Sequence, residues 1–182
     1  MISKSVDKVT IAVTGLAWMG HGIGSIYTTI EQLLTSASDE VQIAAYGITA
    51  GASEFIELLA GCLSRGLIVT LIVNKFGNQP KEIQTRVGKL AQRYAYFTLL
   101  EFQPKEKIED LHAKVIVVDR SRALIGSPNL TWKGLVSNHE LAVVVEGPSA
   151  ATVAGLLDLL AKDSRTRPVS VSKNRENRPA LR

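Results

Sequence analysis

Residues 67–74 constrain the fold more than any other stretch of the chain. They read LIVTLIVN, so almost every position is apolar. A strand with one exposed face alternates apolar and polar side chains, whereas a strand buried on both faces is apolar throughout. The segment therefore predicts a central strand of a sheet that is covered by other elements on both sides.

The neighbouring segments alternate between strand-like and helix-like patterns up to residue 102. Residues 26–36 carry apolar side chains at helical spacing, and Ser53 is a candidate N-cap for a second helix that ends before Gly66. An order of strand, helix and strand implies right-handed crossovers and parallel pairing. The predicted strands are 9–14, 41–49, 67–74 and 96–102, and the predicted helices are 26–36, 53–63 and 81–94.

The pattern changes after a charged loop at residues 104–110. Strands are predicted at residues 112–119, 123–126 and 140–146, and a helix at residues 149–162. The connections between these strands are short, so we expect antiparallel pairing. The sequence as a whole predicts an α/β fold with a mixed, mostly parallel sheet flanked by helices.

Charge is distributed unevenly along the chain. A length of 182 residues with 46% hydrophobic residues fits one globular domain, and the net charge is +4. Residues 163–182 hold two acidic residues and six basic ones, namely Arg165, Arg167, Lys173, Arg175, Arg178 and Arg182. We expect a folded domain over residues 1–162 and a basic, disordered tail over 163–182. The tail could contact nucleic acid, or it could have no role beyond solubility.

Composition also bears on the cellular compartment. The single cysteine, Cys62, lies in an apolar helical pattern, so a reduced and buried thiol is expected. No apolar run approaches the roughly 20 residues that a membrane-spanning helix needs. The apolar stretch after Lys8 is interrupted by Thr10 and Thr14, which favours a strand over a signal peptide. We expect a cytoplasmic protein, with a periplasmic location as the alternative if the N-terminus is a processed signal.

The strongest chemical signal is a pair of short motifs. Six positions at fixed spacing form H-x-K-x4-D and G-S-x-N: His112, Lys114, Asp119, Gly126, Ser127 and Asn129. Alternate residues of an extended strand share a face, so the first two side chains would project together, about 6.6 Å apart. A phosphate could then meet an imidazole and an ammonium at once.

The second motif supplies hydrogen-bond donors. Ser127 and Asn129 are separated by one residue, so a hydroxyl and an amide could donate to the same phosphate oxygens. Gly126 would allow backbone to approach that phosphate closely. Both motifs occur only once in the chain.

The complete pattern resembles that of the phospholipase D superfamily, whose members break phosphodiester bonds through a phosphohistidine intermediate. Residues 44–49 and 65–73 resemble the N-terminal half of the small bacterial nucleases of this family, and residues 130–141 resemble the stretch that follows G-S-x-N. The resemblance covers about residues 9–160 and is strongest from 111 to 141. It implies a phospholipase D-like α/β sandwich with a catalytic domain over residues 1–162.

The resemblance also implies roles for individual residues. His112 would be the nucleophile, and Lys114 and Asn129 would bind and polarise the phosphoryl oxygens with help from Ser127. Glu140 would hydrogen-bond the nucleophilic histidine, fixing one ring nitrogen so that the other faces phosphorus.

Two motif residues would be structural. The resemblance implies that Asp119 ties nearby backbone rather than orienting His112, although it gives the motif its third letter. Gly126 is likewise expected to be structural.

This chemistry needs two histidines, one to attack phosphorus and one to protonate the leaving oxygen. Neither His21 nor His139 lies in an H-x-K context. We therefore expect a two-fold homodimer in which both copies contribute His112 to one site. No metal or other cofactor is expected, because three histidines and one cysteine show no metal-ligand spacing.

These features predict a metal-independent endonuclease acting on nucleic acid, with DNA favoured over RNA. A lipid phosphodiesterase is an alternative, and the apolar loop around Trp18 and Met19 is the one feature that favours it. A nuclease-like subunit or binding module of a larger defence or restriction complex is another. Gly20, Gly22 and Gly24 lack the lysine of a phosphate-binding loop, so they predict a flexible connection.

Overall fold

The computed structural model describes residues 6–49, 51, 53–104 and 109–170. Its strands are β1 (Lys8–Thr14), β2 (Gly24–Ser25), β3 (Glu40–Ala45), β4 (Ile68–Asn74), β5 (Phe97–Phe102), β6 (Val115–Val118), β7 (Arg122–Gly126), β8 (Glu140–Glu146) and β9 (Thr166–Pro168). Its α-helices are α1 (Ile26–Thr35), α2 (Ser53–Ser64), α3 (Lys81–Arg93) and α4 (Pro148–Lys162). Across the described residues the strands form one sheet in the order β2-β1-β8-β7-β6-β3-β4-β5-β9.

Helices cover both faces of this sheet. Alternate residues of β3 show the two layers: Val41, Ile43 and Ala45 pack in the main core with the apolar faces of α1, α2 and α3. Ala44 points the other way and packs against α4. The α/β sandwich expected from the sequence is confirmed.

Strand β4 is the central strand that its apolar sequence predicts. Val69, Leu71 and Val73 are fully buried beneath the first three helices. Ile72 is buried on the opposite face with Leu100 and Phe102 of β5. Because both faces are covered, neither set of alternate positions needs to be polar.

The sheet is mixed, as expected, but parallel pairing does not predominate among the described strands. Strands β3, β4 and β5 are parallel to one another, and β1 is parallel to β2. The remaining neighbours, β1-β8, β8-β7, β7-β6, β6-β3 and β5-β9, are antiparallel. The difference arises because β6, β7 and β8, which come late in the sequence, lie between β1 and β3 in the sheet. Strand β1 therefore pairs with β8 rather than with β3.

The predicted tail begins too early. Residues 163–170 are folded, and Thr166–Pro168 forms β9, which pairs antiparallel with β5. The Arg165 guanidinium bonds Asp163 and Glu109, and it lies over the ring of Phe102. A short edge strand held by ion pairs carries no apolar periodicity, so composition alone cannot show it. The rest of the predicted tail lies outside the described residues.

Most predicted elements agree with the structure to within one residue, and two bounds do not. Strand β3 ends at Ala45 rather than at residue 49, and β6 begins at Val115 rather than at residue 112. Ser53, the predicted N-cap, is the first residue of α2, and its hydroxyl accepts a hydrogen bond from Arg86.

Two predictions from composition can be compared with the structure. Cys62 is buried and free, as expected, and its thiol donates to the carbonyl of Leu34. Burial raises the pKa of this thiol. Within the described part of the chain, no helix is long and apolar enough to span a membrane.

Asp119 fastens the hairpin of β6 and β7 to the start of β3. It lies in a tight turn where Asp119 and Arg120 both have positive φ, 50° and 52°. Its carboxylate accepts backbone N–H bonds from Ser38, Asp39 and Glu40 at 2.9–3.2 Å, and also the Ser38 hydroxyl. The interpretation of Asp119 as a structural residue thus has a concrete hydrogen-bond basis.

These bonds lead to a prediction about stability and pH. Burial of Asp119 opposes ionisation, but the N–H donors outweigh it and lower the pKa below the ordinary value of 3.8. The ionised carboxylate therefore stabilises the fold above that value, and this contribution is lost as the pH falls through the lowered folded-state pKa. Asp119→Asn should reduce the free energy of unfolding at pH 7 by about 2 kcal/mol, measured by urea denaturation.

The difference between Asp119→Asn and the wild type should shrink below about pH 4, where the wild-type carboxylate also becomes neutral. Asp39→Asn, which changes an exposed neighbouring carboxylate, is the control and should leave stability nearly unchanged. Equal stability of Asp119→Asn and the wild type at pH 7 would contradict the anchoring role.

Candidate active site

The residues of both motifs converge on one edge of the sheet. Strands β1, β3 and β7 end at this edge, and the antiparallel β6 and β8 begin there. Segments that are far apart in sequence, around residues 14, 46, 114, 127 and 140, are therefore neighbours in space. We call this edge the catalytic edge.

His112 and Lys114 lie just before β6 rather than within it. Strand β6 pairs with β3 only from Val115 onward, because β3 ends one residue after its partner Ala44. Without a strand partner, the preceding segment does not hold the side chains on one pleated face as the sequence predicts. They meet by direct contact instead.

The Lys114 ammonium is in contact with the His112 imidazole. Its Nζ lies 3.1 Å from Nδ1 and 3.4 Å from Nε2, and it donates to the His112 carbonyl at 2.7 Å. Burial lowers the pKa of Lys114, and the negative charge of Glu140 partly opposes this shift.

Glu140 does not contact His112 within the protomer. Its carboxylate accepts a hydrogen bond from the Ser127 hydroxyl and a second bond from the Asn138 amide at 3.2 Å. The register of β7 and β8 explains this arrangement. The Ser127 N–H donates to the Leu141 carbonyl and the Leu141 N–H donates to the Ser127 hydroxyl, so Ser127 lies beside Glu140. No hydrogen bond joins Glu140 to His112 among the described residues, and the orienting role of Glu140 stays a prediction.

Gly126 allows the close approach of β7 to β8. A Cβ at this position would lie 2.6 Å from both the Leu141 carbonyl oxygen and the Ala142 Cβ. The glycine is thus needed by the protein backbone next to Ser127, whereas the sequence suggested an approach to phosphate.

Asn129 retains an unused acceptor. Its Oδ1 is buried and has no hydrogen-bond partner among the described residues. Its backbone is tightly enclosed, since a Cβ on Gly134 would lie 2.4 Å from the Asn129 carbonyl oxygen. The residue sits just after β7, beside Leu130, whose N–H bonds the carbonyl of Gly47. Phosphate binding by Asn129 and Ser127 stays a prediction.

The two other histidines have different surroundings. His139 precedes β8, and its Nε2 accepts the N–H of Ala17. Its ring makes a T-shaped contact with that of Trp18, with the ring centroids 5.5 Å apart. These contacts fix the loop that follows β1. His21 is exposed within the same loop.

A second network on the catalytic edge has no sequence motif. Asn74, buried at the end of β4, accepts the N–H of Leu111 and donates to Asp110. The Lys75 ammonium lies 2.7 Å from the same carboxylate. Hydrogen bonds from Lys75 and Asn74 lower the pKa of Asp110. The network holds the segment that leads into His112. The feature of the sequence that could have revealed it is Asn74, a polar residue at the end of a largely apolar strand.

Tyr46 is also absent from the motifs. It follows β3 directly, and its ring lies against both His112 and Lys114. Two features of the sequence could have singled it out: its position at the end of a predicted strand and its place within residues 44–49, which resemble the family's small nucleases.

The comparisons with known proteins agree with this geometry. Residues 30–158 match the family described as cardiolipin synthase, PLD-like domain, which covers well over half of the chain. The curated DISARM protein DrmC from Bacillus paralicheniformis is 23% identical over 135 residues. That alignment covers 74% of this chain and 55% of DrmC, so the chain spans about half the length of this relative.

Two solved structures share the fold. Nuc from Salmonella typhimurium, a phospholipase D family member, has a TM-score of 0.70 and 20% identity, and the match covers 90% of this chain and 99% of Nuc. NucT from Helicobacter pylori has a TM-score of 0.72 and 16% identity, covering 90% of this chain and 100% of NucT. The family match over residues 30–158 shows that the chain belongs to the phospholipase D-like family.

Proposed function

We propose that this protein is a metal-independent endonuclease that hydrolyses DNA through a phosphohistidine intermediate, at a site shared by two copies of the chain. The observation that carries the proposal is the contact of the Lys114 ammonium with the His112 imidazole on the catalytic edge. Ser127, Asn129 and Glu140 lie at the neighbouring strand ends. A nucleophile, a cation and hydrogen-bonding groups thus surround one exposed position.

In the first step a ring nitrogen of His112 attacks phosphorus, and the ester bond to the leaving oxygen breaks. The leaving oxygen takes the electron pair of that bond and a proton from a second, protonated imidazole. The Lys114 ammonium already lies beside the imidazole and would stabilise the negative charge of the five-coordinate transition state. Ser127 and Asn129 would add hydrogen bonds to the same oxygens.

In the second step water attacks the phosphohistidine, and the phosphorus–nitrogen bond breaks. The second imidazole, now neutral, accepts the proton of that water, and this restores both histidines. Every proton and electron pair is accounted for by two imidazoles, the phosphodiester and water. The scheme needs no further reactant.

The second imidazole is best supplied by another copy of the chain. His139 is engaged with Ala17 and Trp18, and His21 lies in the loop after β1. A two-fold axis at the catalytic edge would bring together both copies of His112. Since Glu140 does not reach His112 in its own chain, we place its orienting role across that axis.

The loop after β1 supports an interface at this edge. It exposes Leu16, Trp18 and Met19 beside the segment that leads into Glu140, and Leu16 is 89% exposed. Apolar side chains grouped next to a site are typical of a surface that a partner covers. A second copy would cover this loop and, through the same contact, complete the site.

DNA is favoured as the substrate by the resemblance of the motifs to those of the family's small bacterial nucleases and by the net charge of +4. Basic residues attract the phosphate backbone regardless of base sequence. The descriptions of the matched family and of Nuc also name lipid chemistry, so lipid turnover is an explicit outcome of the test below.

The activity prediction is tested with plasmid DNA, single-stranded DNA, RNA and labelled phospholipid, each in the presence of EDTA. Cleavage of DNA should persist in EDTA, because the proposed chemistry uses only side chains. His112→Ala should lower the rate of cleavage roughly a thousandfold or more, since it removes the nucleophile. Asp39→Asn, which changes an exposed carboxylate before β3 at the end of the sheet away from the site, is the control and should cleave normally.

Turnover of phospholipid without any cleavage of nucleic acid would replace the nuclease by a lipid phosphodiesterase. DNA that is bound but never cut by the wild type would indicate a binding module. Equal activity of His112→Ala and the wild type would overturn the mechanism itself.

The shared site makes a quantitative prediction for mixed dimers. When wild-type chains and His112→Ala chains are co-expressed equally and pair at random, only dimers of two wild-type chains hold both histidines. Activity per total protein should then fall to about one quarter of the wild-type value, whereas independent sites would leave about one half. Sedimentation should show two copies of the 19.7 kDa chain. An active, strictly monomeric protein would contradict the shared site.

A second candidate follows from the likeness to DISARM protein DrmC. Because the chain matches about half of that protein, the same catalytic unit could act as one part of a larger protein or complex. In that case partners would supply specificity, and the isolated chain would cleave DNA slowly and without sequence preference.

A further inference from the structure

Tyr46 makes contact with both reacting side chains of the proposed mechanism. Its ring centroid lies 4.8 Å from that of His112, with the planes tilted by 53°. The Lys114 ammonium lies 5.4 Å from the same centroid. One aromatic ring thus touches the imidazole and the cation that touch each other.

The position of this ring is set by the loop that carries it. The Gln79 side chain donates to the carbonyl oxygens of Tyr46 at 3.4 Å and Asn74 at 3.0 Å, and it accepts the N–H of Ile48 at 3.0 Å. One amide therefore ties the loop after β3 to the end of β4. Tyr46 itself is half-buried, so its ring has limited freedom to move.

Both contacts fall within the ranges where aromatic rings attract their neighbours. Tilted ring pairs are favourable at centroid separations of about 4.5–7 Å, and a cation is attracted to a ring face within about 6 Å. His112 is exposed and precedes β6, so no strand pairing fixes its side chain. The ring of Tyr46 and the ammonium of Lys114 are the groups that it contacts in the described structure.

We propose that Tyr46 is a positioning residue, whose ring holds the His112 imidazole and the Lys114 ammonium together in the geometry that attacks phosphorus. This rests on the proposed function of the site. The hydroxyl of Tyr46 has no hydrogen-bond partner among the described residues, so the ring alone performs the role. A misplacement of the nucleophile by about 1 Å can cost a hundredfold in rate, so a ring that restricts the imidazole matters for the chemical step.

The proposal is tested by comparing Tyr46→Phe, which keeps the ring, with Tyr46→Leu, which removes it. The substrate is bis(p-nitrophenyl) phosphate, a small phosphodiester that makes few contacts beyond the reacting group. Tyr46→Leu should lower kcat by roughly ten- to a hundredfold with little change in KM, because phosphate binding survives while the nucleophile is misplaced. Tyr46→Phe should retain activity close to that of the wild type.

Tyr96 provides a matched control at the opposite edge of the sheet, where its hydroxyl donates to the carbonyl of Leu63. Tyr96→Leu and Tyr96→Phe should both leave kcat unchanged after correction for any loss of folded protein. Unchanged kcat in Tyr46→Leu would overturn the proposal. So would an equal loss in Tyr46→Phe, because it would assign the role to the hydroxyl.

A measurement without turnover separates this proposal from the proposed function. The side-chain carbon–hydrogen signals of His112 are identified by NMR from their disappearance in His112→Ala. The Tyr46 ring current should shift these signals in the wild type and in Tyr46→Phe, and the shift should vanish in Tyr46→Leu. If the wild type hydrolyses no phosphodiester but the shift is present, the contact stands and the proposed function fails. An identical His112 spectrum in Tyr46→Leu would overturn the positioning role whatever the activity.

Discussion

The antiparallel pairing of β6 with β3 on one side and β7 on the other determines where every candidate catalytic side chain lies. Because β6 runs against its neighbours, it starts at the edge where they end. His112 and Lys114 lie at this edge just before β6, and Ser127 and Asn129 lie at it just after β7. Asp119 holds the opposite end of the hairpin by bonding the backbone before β3. The hydrogen bonds at one turn thus support a site at the far end of two strands.

Some residues of the candidate site are held by strand register, whereas others lack part of their contacts. Gly126, Ser127 and Glu140 are locked by the tight register of β7 and β8, and Asn74 holds the approach to His112 from β4. In contrast, the imidazole itself is exposed and is fixed only by side-chain contacts. An acceptor on Asn129 has no partner among the residues that the structure describes, and apolar side chains lie uncovered beside the site. A second copy of the chain would cover the apolar side chains, and a bound phosphodiester would contact the exposed imidazole.

Much of the fold could be predicted from the sequence because its segments carry strong local patterns. The apolar run of β4 indicated burial on both faces, and the helical spacing in α1 gave its buried side correctly. Pairing order could not be predicted, since the insertion of β6, β7 and β8 beside β1 depends on contacts distant in sequence. For the site, the motif identified His112 and Lys114. It could not show Tyr46, or that Glu140 bonds Ser127, because both depend on how separate strand ends meet.

The central claim is that His112 forms a covalent bond to phosphorus during turnover. The most direct test mixes the protein with a cleavable oligonucleotide for a single turnover, stops the reaction in alkali to preserve the phosphorus–nitrogen bond, and maps the adduct by mass spectrometry. The account predicts an adduct on the peptide that contains His112, formed and lost at rates consistent with cleavage and absent from His112→Ala. An adduct on another side chain, or one that persists in His112→Ala, would contradict it.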